Sequence, residues 1–77
     1  MPKFRVAFDG KWQEKFDTLG EAAEWAQEVS ATGRTTWVVE HRLRGDRLRA
    51  TFPEENREDA EKAWRAAAAT AGFIPGG

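Results

Sequence analysis

Between positions 42 and 49 the chain carries Arg42, Arg44, Arg47 and Arg49 around a central Gly45 and Asp46. Guanidinium groups crowded in this way are chemistry for a polyanion, because each phosphate they neutralise releases condensed counterions. Other reactive combinations are sparse. His41 is the single imidazole, and its place between Val39 and Leu43 reads as a histidine at the core margin rather than a catalyst. Glu54, Glu55, Glu58, Asp59 and Glu61 gather where a helix should begin, and negative charge there answers the helix dipole before it implies a metal. The absence of cysteine excludes a disulfide framework, a thiolate zinc site and a thiol nucleophile. No phosphate-cradling glycine loop or serine-triad motif is present. The expectation is a protein that is not an enzyme and needs no cofactor or metal.

The arginines must be held by the elements around them, and those elements repeat. Each half reads strand, turn, strand, helix. Phe4 to Phe8 leads through Asp9 and Gly10 into Trp12 to Phe16, then to a helix carrying Trp25 that stops at Gly33. Trp37 to Leu43 leads through Gly45 and Asp46 into Leu48 to Phe52, then to a helix carrying Trp64 that stops at Gly72. The same number of residues separates Trp25 from Gly33 and Trp64 from Gly72, and Pro53 to Asn56 is an insertion in the second half. The units span 3–33 and 36–73 of one domain, with a flexible tail at 75–77.

With Gly45 and Asp46 as a two-residue turn, Leu43 faces Leu48, His41 faces Ala50 and Val39 faces Phe52, giving one apolar side. In the first hairpin a longer, bulged loop of three residues, Asp9, Gly10 and Lys11, sets Phe8 against Trp12 and Phe4 against Phe16. Thr18 and Glu21 form a capping box before the stripe Leu19, Ala22, Trp25, Ala26 and Val29. The second helix starts at Asn56 and presents Ala60, Ala63, Trp64, Ala67 and Ala71, with Phe73 and Ile74 folding back after Gly72. The four tryptophans, Trp12, Trp25, Trp37 and Trp64, all point inward and read as core. If a two-fold axis relates the halves, the fold is α+β: a ββαββα pseudo-repeat whose four-stranded antiparallel sheet, in the order 2-1-3-4, carries both helices on one face.

That register turns Arg42, Arg44, Arg47 and Arg49 to the open sheet face, where Lys3, Arg5 and Lys15 join them, opposed by Glu40. The helices are acidic, through Glu14, Asp17, Glu21, Glu24 and Glu28 and through the cluster after Pro53. Arg44 would face Arg47 and Arg42 would face Arg49, and like charges across a ladder cost roughly 0.2–1 kcal/mol per pair. A bound polyanion would reverse that repulsion. Ordinary polar cover of an exposed sheet, with salt screening the charges, accounts for the same pattern.

Residues 4–33, above all Phe16-Asp17-Thr18 followed by Glu21-Ala22 and Trp25, resemble the arm-type amino-terminal DNA-binding domain of phage tyrosine integrases. That family packs a three-stranded sheet on one helix and docks the sheet in the DNA major groove. Here two strands precede the helix, and a second similar unit follows it. The resemblance implies that Arg5 and Lys15 face DNA.

The chain is 77 residues with 12 basic and 13 acidic side chains, net −1. At this length folding buries only about 60% of the unfolded surface, so nearly every large apolar residue must serve the core. No stretch is apolar enough for a membrane span, and Arg5 and Asp9 interrupt the start where a signal peptide would be apolar. A soluble, cytoplasmic monomer or homodimer is expected. The functional expectation is a small binding module whose basic sheet face, Arg42, Arg44, Arg47 and Arg49 with Arg5, Lys15 and Lys3, contacts nucleic-acid phosphates. Its alternative is a protein-interaction or inhibitory accessory module, of phage or host, that binds a protein through its acidic helices or basic sheet.

Overall fold

The computed structural model describes residues 3–9, 11–43, 45–54 and 56–71, the last four by backbone alone. Gly10, Arg44, Glu55, and the expected helix closure at Gly72, return of Phe73 and Ile74 and tail at 75–77 lie outside the described residues. The elements are β1 (Phe4–Phe8), β2 (Lys11–Phe16), α1 (Leu19–Ser30), β3 (Thr36–Arg42), β4 (Gly45–Phe52) and α2 (Arg57–Ala71). All strand pairs are antiparallel and the sheet order is β2-β1-β3-β4, the order expected.

Local chemistry sets the helix ends. The Thr18 hydroxyl oxygen accepts from Glu21 N at 3.3 Å, and the hydroxyl donates to the Glu21 carboxylate at 2.9 Å. Such a cap contributes about 0.5–2 kcal/mol. Past the end of α1, Gly33 takes φ +95, a left-handed conformation that glycine adopts without steric cost. Asn56 starts α2 as expected, its side-chain oxygen accepting from Glu58 N at 2.9 Å.

The helices are not on one face. Val38 packs with Phe4, Val6 and the fully buried Ala22 and Ala26 of α1, whereas Trp37 and Val39 pack with Ala7, Leu48 and the Ala60 and Trp64 of α2. Neighbours along a strand point to opposite faces, so α1 and α2 cover opposite sides of the sheet. A two-fold axis normal to the sheet would place them on the same side, so it does not relate the two halves. Burial on both sides explains why Val6 and Ala7, and again Val38 and Val39, have no exposed surface. Each fully buried valine stabilises the fold by about 1.5–3 kcal/mol.

Both hairpins also differ from the expected registers. In the first, Phe4 does pair with Phe16, but Phe8 pairs with Lys11 across a two-residue turn, and the extra residue is a bulge in β2 opposite Val6. In the second, Arg42 pairs with Gly45, His41 with Asp46, Glu40 with Arg47 and Val39 with Leu48, while Val38 pairs with Ala50 and Thr36 with Phe52. Arg49 is the bulged residue. The bulge changes the phase of β4, so Leu48 faces α2 while Ala50 and Phe52 face α1. Leu43 has no partner in this ladder; it sits in the turn and is exposed.

Candidate functional site

The site is built from the β3–β4 hairpin and the chain entering β1. Glu40 is the buried centre, at 7% exposure. Arg49 Nη1 donates to its Oε1 at 2.7 Å, and Lys3 Nζ lies 3.3 Å from its Oε2. The bulge gives Arg49 that reach. His41 N donates to Lys3 O at 2.7 Å, extending the β1–β3 ladder and setting Lys3 beside the carboxylate. The Arg49 hydrogen bond is the main reason the Glu40 carboxyl titrates below the usual carboxylate range; burial opposes it and Lys3 supports it.

Arg47 stands across the ladder from Glu40, and Arg42 is two positions beyond Glu40 on the same strand, so both share the α1-side face with it. Both are exposed. Neither forms an ion pair among the described residues, which elsewhere pair Arg34 with Asp9 and Arg57 with Glu61. The remaining carboxylate of the hairpin end is turned away. Asp46 pairs with His41 on the α2-side face, where His41 Nδ1 donates to its Oδ1 at 2.6 Å and the Asp46 side chain is only 3% exposed. An open, shallow recess runs between Arg42, Leu43, Gly45, Asp46 and Arg47.

The expected basic sheet face is therefore corrected. Lys3, Arg42, Arg47 and Arg49 converge on one side of the hairpin end. Arg5 and Lys15 pair with each other on the opposite side. Arg5 belongs to the core margin, its guanidinium 5.2 Å from the Trp12 ring centroid. The sheet has no open face because a helix lies on each side. The expected pairing of Arg42 with Arg49 is not in the ladder: Gly45 faces Arg42, Glu40 faces Arg47, and Arg49 is neutralised by Glu40. Arg44 lies outside the described residues.

His41 is at the core margin as expected, edge-on to Trp12 with ring centroids 5.1 Å apart. Its Nε2 is buried without a hydrogen-bond partner, as are Arg5 Nε and Trp37 Nε1. A histidine oriented by a carboxylate is the usual support of a metal ligand or general base. Among the described residues, however, no group of three or more His, Asp or Glu is placed to hold a metal. Trp37 and Trp64 are buried, and Trp12 and Trp25 pack against the two clusters, which agrees with their reading as core.

Sequence reasoning missed the roles of Leu43 and Asp46. The available signal was the unbroken run Trp37-Val38-Val39, the mark of a strand covered on both faces. It argues for two separate faces and against one long apolar side extending to Leu43. No family model, curated protein or solved structure matches the chain.

Proposed function

We propose that this chain is a small non-enzymatic binding module that contacts nucleic-acid phosphates through the end of its β3–β4 hairpin. Arg42 and Arg47 are the principal contacts, with Lys3 and Arg49 adding positive potential around them. The observation that carries this reading is the disposal of the acids. Glu40 is buried under Lys3 and Arg49, and Asp46 is held by His41 on the other face, so Arg42 and Arg47 stay exposed and unpaired among the described residues. Arg5 and Lys15 lie on the far side of the sheet and have no part in it. A phosphate contact made by only a few cations belongs to the non-specific class, with dissociation constants of about 10⁻⁴–10⁻⁶ M at physiological salt.

The test is a labelled duplex titrated by fluorescence anisotropy over a series of salt concentrations. Affinity should fall linearly on a double-logarithmic plot, and the double variant Arg42→Glu, Arg47→Glu should abolish binding while keeping the circular dichroism of the parent. Binding weaker than about 10⁻⁴ M at the lowest salt would sink the proposal. The competing reading, a module that binds a protein through acidic helices, draws on the exposed Glu21, Glu24 and Glu28 of α1 and Glu58 and Asp59 of α2. Those two sets lie on opposite sides of the sheet, so a partner would engage one helix and not a continuous acidic surface.

A further inference from the structure

We propose that the tip of the β3–β4 hairpin is a wedge for duplex DNA, with Leu43 entering between stacked base pairs from the minor groove while Arg42 and Arg47 hold flanking phosphates. This rests on the phosphate-binding reading above and adds the class of nucleic acid and the deformation it undergoes. Leu43 is exposed at 104%, and among the described residues no other large hydrophobic side chain is exposed. A solitary surface leucine is ordinary; this one is unusual for where it stands.

Hairpin tips favour glycine, asparagine and aspartate because the backbone must turn sharply. Gly45, at φ +119, supplies the left-handed conformation here. Leu43 therefore serves neither the turn nor the core. Arg42 and Arg47, exposed and without an ion pair among the described residues, stand on one face of the ladder just short of it, and the nearby carboxylate of Asp46 is sequestered by His41 on the other face. Minor-groove proteins combine basic contacts with an inserted apolar side chain that partly unstacks a base step and kinks the duplex by about 20–90°, and an apolar point projecting past two cations suits that use. An anionic membrane would attract the same residues. Even a whole myristoyl chain binds a bilayer only on the order of 10⁴ M⁻¹, though, and one leucine side chain offers far fewer methylenes. A wedge needs only one side chain.

The experiment uses the whole chain and a duplex with a fluorophore at each end, reading binding by anisotropy and end-to-end distance by energy transfer. The wild type should shorten the duplex, most strongly when a flexible TA or CA step is central. Leu43→Ala should bind with an unchanged salt slope and lose the shortening. Arg42→Gln and Arg47→Gln should each reduce the salt slope by about 1. Wild-type binding at unchanged end-to-end distance, or a Leu43→Ala variant that bends as well as its parent, overturns the wedge and leaves phosphate contact standing. Failure to bind the duplex at low salt overturns both. Binding to vesicles of anionic lipid in place of DNA, lost in Leu43→Ala, overturns the wedge in favour of a membrane surface.

Discussion

At the scale of single residues, Glu40 does the most. Its carboxylate receives Arg49 and Lys3, and the Arg49 hydrogen bond is the largest reason its pKa is lowered in the folded chain. A depressed folded pKa means that the unfolded chain binds the proton more readily. The contribution to stability is complete above the unfolded glutamate value, near 4.3, and is lost as pH falls from there through the lower folded value. Replacing Glu40 with Gln should remove that part of the acid sensitivity. In denaturant melts the wild-type advantage over Glu40→Gln should be constant near neutrality and shrink below about pH 4.5; an advantage that persists unchanged at more acid pH would contradict the role given to this carboxylate. The same variant releases Lys3 and Arg49, so under the phosphate reading its duplex affinity should rise at low salt.

At the scale of elements, the two helices are held unequally. α1 lies against strands from both hairpins and is tied by Thr36 Oγ1, which donates to Ala26 O at 3.0 Å. The described side chains of α2 that reach the core are small except for Trp64, which is 3% exposed and lies 5.4 Å from the Trp12 ring and 5.9 Å from the Trp37 ring. Trp64→Ala should therefore cost about 3–5 kcal/mol. That is a large share of the roughly 4–12 kcal/mol expected for a domain of this size. The unfolding midpoint and helix content should both fall, with α2 lost first. A midpoint within error of the wild type would mean that α2 is anchored some other way. The bulge at Arg49 belongs to the same scale: it lets one short strand feed Leu48 to the α2 side and Ala50 and Phe52 to the α1 side. Arg57 Nη2 of α2 also donates to Leu48 O at 3.3 Å, engaging one backbone group of this edge strand.

At the scale of the molecule, a helix on each side leaves the exposed charges to the hairpin end, the helix surfaces and the sheet edges, while Arg5 and Glu40 on the central strands are drawn into contacts with Trp12 and with Lys3 and Arg49. No described helix is long and apolar enough to cross a membrane. The layering also ranks local stability. Val6 and Val38 sit on central strands with both faces covered, so their amides should exchange with solvent only through global unfolding, while those along β2 exchange through local opening. Hydrogen exchange followed by NMR measures this order directly. Protection in β2 equal to that in β1 would mean that another strand, such as one from a second copy of the chain, covers that edge.

The strand order was reached through an assumed two-fold axis that the structure does not have, whereas the α+β class, the Thr18 and Asn56 helix starts and the role of the tryptophans were legible in the residues alone. These depend on local spacing: alternation in the strands, helical stripes in the helices, and capping residues whose hydrogen bonds reach only a few positions. The side of the sheet on which each helix lies, the place of the bulge in β2 and the existence of the one at Arg49, the true turn at Leu43 and the separation of Arg5 and Lys15 from Arg42, Arg47 and Arg49 were settled only by tertiary packing. A bulge shifts strand phase by one residue, and one residue is the difference between the two faces of a sheet. Where apolar residues such as Trp37, Val38 and Val39 run consecutively, pattern alone does not assign them to faces; the helices that come to rest on either side do.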